Sequence, residues 1–118
     1  MASWEDQWSV DFMFETASNL DAQAFRALDP TEVQILDVRE RWEYELARLP
    51  GALLIPMGEL ADRVGELDSA RPLATYCHHG VRSLYALGLL SAAGFTMLAH
   101  LSGGIDAYSR LDPRVPRY

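Results

Sequence analysis

The sequence predicts a single α/β domain, built on a mostly parallel central sheet of about five strands with helices on both faces. Three observations predict it. Strand-like and helix-like runs alternate along the chain, the pattern of a parallel sheet joined by crossover helices. At 118 residues the chain is long enough for one layered core and too short for two. Hydrophobic residues make up 49% of it, which suits a globular fold and argues against disorder.

The elements are expected in the following order. Residues 1–11 read as an N-terminal arm carrying Trp4 and Trp8 among polar and acidic residues, with at least one tryptophan packed on the domain. The domain is expected over 12–110. Phe12 to Glu15 reads as a short strand, and Ser18 or Asn19 as caps for a helix over Asp21 to Leu28 that Asp29-Pro30 ends. Val33 to Arg39 is a β-branched strand, expected to be central. Asp37 and Arg39 stand two apart in it, so a regular strand turns both side chains to one side. Glu40 to Leu46 reads as one or two helical turns, stopped before Pro50-Gly51, and Ala52 to Pro56 as a third strand. Met57 to Leu67 reads as a helix with Leu60, Val64 and Leu67 on one face. Pro72 to Tyr76 is a fourth, buried strand. The run from Ser83 to Ala93 is apolar nearly all round, so that helix is expected to be covered on most sides and stopped by Gly94. Thr96 to Ala99 makes a last strand, and 101–104 a turn into a helix from Ile105 to Arg110. Residues 111–118, with Asp112-Pro113 and Val115-Pro116, read as an extended tail.

Chemistry concentrates where the fourth strand ends. Cys77 is the only cysteine, and it stands between a buried strand and a helix start. Amides at a helix start point at an approaching anion and carry partial positive charge, which favours a thiolate, the reactive form. Gly80 allows a tight turn that aims amides inward, and Arg82 adds a full positive charge. A cysteine beside an apolar run is also a common buried hydrophobe. A core cysteine, however, needs neither Gly80, nor Arg82, nor a strand-to-helix position. Ligands of parallel sheets bind beyond the carboxyl ends of strands, where Cys77 stands.

The net charge of −7 argues against a nucleic-acid partner, though a local cluster of donors still accommodates a small anion. A single cysteine excludes an internal disulfide and resolution by a second cysteine of the chain. No cationic start with an apolar run behind it is present, and no apolar run approaches ~20 residues, so a cytoplasmic protein with no membrane partner is expected.

Leu36-Asp37-Val38-Arg39-Glu40, Trp42-Glu43-Tyr44, Leu49-Pro50-Gly51-Ala52 and Ile55-Pro56 resemble the first half of a rhodanese-like domain. Tyr76-Cys77-His78-His79-Gly80-Val81-Arg82-Ser83 resembles its active-site loop, and Leu101 to Tyr108 its closing motif. The motifs come in the family's order and span about residues 12 to 110. Two departures are structural in character: Ala47-Arg48-Leu49 stands where Gly-His-Ile is frequent, and Tyr108 where tryptophan is. The resemblance implies a small α/β domain whose cysteine cycles through a persulfide, taking a sulfane sulfur from thiosulfate or another persulfide. The sulfur then passes to a thiophilic acceptor such as cyanide, a thiol or a protein. Cys77 is the implied nucleophile, and the backbone of His78, His79, Gly80, Val81, Arg82 and Ser83 the implied cradle for the outer sulfur. No metal or organic cofactor is implied. The loop from Cys77 through Arg82 has six members, as the family's sulfurtransferases do. The related phosphatases and arsenate reductases have seven, which gives room for a tetrahedral oxyanion.

Side-chain roles stay open at this level. Arg82 either meets an oxygen of the donor or pairs with an acidic group that supports the loop. His78 and His79 either raise the potential near the cysteine and contact the donor, or are exposed loop residues; they have no third or fourth partner for a metal site. Asp37 and Arg39 are expected to tie the strand end to the loop. Three other functions compete with an enzyme acting on thiosulfate: a protein-to-protein sulfur relay, favoured by an exposed-looking cysteine; a phosphatase or arsenate reductase; and a non-catalytic interaction module.

Overall fold

The computed structural model describes residues 18–118. The strand expected at Phe12–Glu15 and the arm with Trp4 and Trp8 lie outside the described residues. The described chain forms a five-stranded sheet: β1 (Ser18–Leu20), β2 (Gln34–Asp37), β3 (Ala52–Leu54), β4 (Leu73–Tyr76) and β5 (Leu98–Leu101). Its order is β1-β5-β4-β2-β3, and every pairing is parallel. β4 is the middle strand, and β2, expected to be central, lies beside it.

The helices are α1 (Ala22–Arg26), α2 (Arg41–Leu46), α3 (Leu60–Arg63), α4 (Val81–Ala92) and α5 (Gly104–Leu111). Because strand side chains alternate between faces, each face of the sheet has its own core. Ile35, Ala74, Tyr76, Ala99 and Leu101 pack with Phe25 of α1 and with Ile105 and Tyr108 of α5. Leu36, Leu73 and Leu98 pack on the other face with Leu60 of α3 and with Ala86, Leu87 and Leu90 of α4. Cys77 belongs to this second cluster.

Several elements differ from expectation, each for a local reason. Ser18 and Asn19 are strand residues rather than caps. Asp21 is the cap, its carboxylate accepting the Ala24 N–H at 2.8 Å. The helix expected over 57–67 is broken into a 3-10 turn (Met57–Glu59), α3 and a second 3-10 turn (Val64–Glu66). Gly58 and Gly65, each costly inside a helix, stand in the two turns. α4 is not covered on most sides: Ser83, Ala86, Leu87 and Leu90 are buried on one face, while Leu84 and Tyr85 are exposed on the other. It ends as expected at Gly94, in the left-handed region at φ 99°. Phe95 N–H donates to the Leu90 carbonyl and Gly94 N–H to Ser91, a Schellman arrangement. β5 lies two residues later than the run expected to form it. The segment after α5 is neither simply extended nor a loose tail: Val115 N–H donates to the Asp112 carbonyl at 3.0 Å to close a turn, Val115 is buried, and Tyr118 packs against the α1 and α5 face.

Candidate active site

Cys77 follows β4 directly, and the loop His78–Gly80 leads into α4. Gly80 is the residue before the helix and has φ 106°, a conformation that a side chain disfavours. That turn folds the chain back over the cysteine. Gly80 N–H lies 3.1 Å from Cys77 Sγ and Ser83 N–H 3.4 Å from it, so two backbone donors converge on one sulfur. Ser83 Oγ is 3.5 Å from the same sulfur. The cysteine expected to look exposed is buried, at 1% exposure. Its side chain turns under the loop into the α4-side core rather than outward.

The loop is held from behind by α5. Ile105 N–H donates to the Cys77 carbonyl at 2.9 Å, and Asp106 N–H donates to the His78 carbonyl at 3.1 Å. These are orphan donors of the helix's first turn, so the same bonds cap α5 and fix the loop. The approach requires glycine at 104, where a Cβ would stand 2.1 Å from the His78 carbonyl oxygen.

Arg82 pairs with an acid. Its guanidinium makes two bonds to the Glu43 carboxylate, at 2.6 and 3.0 Å. Burial pushes Glu43 toward the neutral form. The Arg82 bonds, the Glu40 N–H and the Tyr118 hydroxyl outweigh it and hold the carboxyl at about 2. Tyr118 O–H donates to Glu43 at 2.7 Å and accepts from Arg39 at 2.6 Å. Its own ionisation is pushed up to about 12, first by burial.

Asp37 and Arg39 do face one side, and they bond each other through two contacts of 2.9 and 2.7 Å. Both are fully buried. Burial disfavours the Arg39 charge, but Asp37 more than restores it. The pair does not reach the loop amides. Asp37 accepts the Tyr76 hydroxyl at 2.9 Å, while Arg39 donates to the Ala47 carbonyl and to Tyr118. They therefore brace the strand residue just before Cys77 from the opposite face of the sheet.

The two loop histidines part ways. His78 Nε2 donates to the Tyr118 carbonyl at 2.9 Å, and its ring stacks on Tyr118 at 4.1 Å and on His79 at 3.9 Å. Burial, then the neighbouring His79, hold its basicity below the usual imidazole value, so it adds little positive charge at neutral pH. His79 is exposed, 4.0 Å from Asp106. The Val81 side chain is exposed.

Sequence reasoning did not single out Glu43, Tyr118 or His100 as site residues. Glu43 had a legible signal, as the third residue of a helix whose entry residue's N–H it accepts at 3.0 Å. His100 is the one polar side chain in the Leu98-Ala99-His100-Leu101 run. Tyr118 carried no local signal.

The family model described as Rhodanese-like domain matches residues 21–111. The chain is 35% identical over 92 residues to the Rhodanese-like/PpiC domain-containing protein 12, chloroplastic, of Arabidopsis thaliana. That match covers 74% of this chain and 31% of the longer plant protein. It is 31% identical over 86 residues to the thiosulfate sulfurtransferase GlpE of Shewanella oneidensis, covering 73% of this chain and 85% of that one. A crystal structure of a rhodanese-like domain protein from Staphylococcus aureus superposes with a TM-score of 0.73 at 26% identity, covering 86% of this chain and 98% of the other. Among the described residues no helix is long and apolar enough to cross a membrane. With the parallel sheet, the order of its motifs and the amide-lined cysteine loop, these likenesses place the chain in the rhodanese-like domain family.

Proposed function

We propose that the chain is a sulfurtransferase that carries a sulfane sulfur on Cys77. The observation that carries the reading is the convergence of the Gly80 and Ser83 amides on Cys77 Sγ. A thiolate and a terminal persulfide sulfur are both anions of about one atom's width, and two fixed N–H donors suit either. Cys77 thiolate attacks the outer sulfur of thiosulfate. A new S–S bond forms, the old one breaks, and sulfite leaves with its electron pair. An acceptor nucleophile then attacks the outer sulfur, and Cys77 leaves as thiolate, which makes the kinetics double-displacement. Arg82 is engaged by Glu43, so in this reading it sets the loop's shape while the amides face the anion.

A relay between proteins has one observation in its favour. Val81, Leu84 and Tyr85 at the start of α4, and Trp42 on α2, are large exposed apolar side chains on the loop's own helix and on the helix that carries Glu43. Turnover with thiosulfate, set against turnover with a cysteine-desulfurase donor, separates the two.

The primary test is the intact mass of the protein before and after thiosulfate, and again after cyanide. The expected result is a gain of one sulfur, removed by cyanide with thiocyanate formed, and absent in a folded Cys77→Ser variant. Sulfur gained equally by Cys77→Ser would overturn the assignment.

A further inference from the structure

β5 is an interior strand of the sheet with one polar side chain, His100, which is 5% exposed. On the neighbouring β1, Asn19 is its register partner, so the two side chains stand side by side on one face. Asn19 Oδ1 lies 2.6 Å from His100 Nε2. On its other side, His100 Nδ1 lies 3.0 Å from Ser83 Oγ, which lies 3.5 Å from Cys77 Sγ. Ser83 is fully buried. A continuous line of hydrogen bonds therefore runs from the sulfur, across α4 and β5, to β1.

With Asn19 Oδ1 as acceptor, the Nε2–H tautomer of His100 sets the direction of each bond along the line. A carboxamide oxygen only accepts, so His100 Nε2 carries a hydrogen. Neutral imidazole then leaves Nδ1 with a lone pair, and Ser83 O–H donates to it. The Ser83 oxygen in turn presents a lone pair to the Cys77 S–H. Ser83 has a second acceptor, the Gly80 carbonyl at 3.3 Å, so His100 is not needed to satisfy it. An apolar side chain in the place of His100 would suit a strand otherwise made of Leu and Ala.

We propose that Asn19, His100 and Ser83 form a proton relay in which His100 takes the proton of Cys77 as the nucleophile is generated. The proposal rests on Cys77 being the reactive thiol. The S–H bond breaks as a new O–H bond forms at Ser83, whose own proton passes to His100 Nδ1. The products are thiolate and imidazolium. Nδ1–H now donates to Ser83, and the Ser83 hydroxyl proton points at the sulfur as a third donor beside the two amides. The same steps run in reverse when Cys77 is released as thiolate at the end of the cycle.

Burial keeps His100 below the usual imidazole basicity, hence neutral and ready to accept at neutral pH; the thiolate formed in the same event offsets the cost of the imidazolium. Among the described residues no carboxylate or guanidinium bonds His100, so its partners are Asn19 and Ser83. The Arg82 charge, which interacts with Cys77, is held by Glu43.

The test is the rate of iodoacetamide alkylation of Cys77 against pH, with folding checked by thermal melting. His100→Gln keeps hydrogen-bonding capacity and cannot take a proton. Its alkylation midpoint should rise by about one pH unit, lowering the rate at neutral pH about tenfold. Asn19→Asp gives Nε2 a charged acceptor and a more basic imidazole. The relay requires its midpoint to fall, whereas the bare field of an added carboxylate would raise it. A midpoint that does not move in folded His100→Gln, or that rises in Asn19→Asp, overturns the relay. If His100→Gln does not fold, the sign of the Asn19→Asp shift decides alone. Alkylation needs no sulfur donor, so a protein that takes sulfur neither from thiosulfate nor from a cysteine-desulfurase donor would refute the proposed function while leaving this measurement intact.

Discussion

Glu43 shows how one side chain ties the cysteine loop to the rest of the molecule. It accepts from Arg82, from Tyr118 and from the Glu40 backbone, and is 3% exposed. Glu43→Gln keeps the shape and removes the charge, leaving the Arg82 guanidinium without its bidentate partner. Because Arg82 is about a third exposed, water recovers part of the loss, and a destabilisation of about 2 kcal/mol is expected, below the range for breaking fully buried pairs. The pH dependence has a definite sign. The carboxyl is held at about 2 in the folded protein against an ordinary 4.5. Its contribution is therefore present in full above about 4.5 and is lost as pH falls through about 2. Urea midpoints measured down this range should converge for the native protein and Glu43→Gln. Parallel curves would show that Glu43 is not the group being protonated. Asp112, held at about 2 by Arg114, is common to both proteins and cancels in the comparison.

At the scale of the element, the decisive contact is α5 against the cysteine loop. Two first-turn amides of α5 hold the Cys77 and His78 carbonyls, and the approach leaves no room for a side chain at 104. Gly104→Ala drives a methyl group into the His78 backbone and also forces φ 66° on an L-residue. A loss of about 3 kcal/mol is expected from strain of this kind, with the loop displaced and sulfur loading reduced. Gly88 is the control: it lies on the exposed side of α4, and a Cβ added there would meet nothing within 4 Å. Gly88→Ala should raise stability by about 0.5–1 kcal/mol. Melting curves of the two variants should shift in opposite directions. The strands β2, β3 and β4, the Cys77 turn and the Gly94 stop were legible because each depends on residues a few positions apart. β1 was not, since Ser18-Asn19-Leu20 has no strand composition and is a strand only because β5 lies beside it. Likewise, the spacing of Leu60, Val64 and Leu67 suggested one helix, whereas the glycines at 58 and 65 broke it.

At the scale of the whole molecule, the site is where distant parts of the chain meet. The Asp37–Arg39 pair, the Tyr76 hydroxyl, Glu43, Arg82 and Tyr118 form one connected set of hydrogen bonds reaching from β2 to the last residue described. Cys77, Gly80, Arg82 and Ser83 were legible as a group because they fall within the one short stretch 77–83. Tyr118 was not, because Asp112-Pro113 and Val115-Pro116 announce extended chain without saying where it goes. Its position is fixed by non-local packing: Val115 is buried in the core, the Tyr118 ring lies on His78, and the hydroxyl sits between Arg39 and Glu43. Tyr118→Phe retains the ring and removes only the hydroxyl. Arg39, fully buried, then loses a hydrogen-bond acceptor, and Glu43 loses a donor. Leaving such groups short of a partner costs about 1–3 kcal/mol. For a domain of this size that lowers the melting temperature by several degrees at least. The His78 ring should keep its place, because its stacking and its bond to the Tyr118 carbonyl do not involve the hydroxyl. A melting temperature equal to the native one would mean that the segment after α5 lies on the domain without supporting it. A drop of this size, with His78 resonances unchanged, is the result expected of a chain whose final segment completes the brace behind its cysteine.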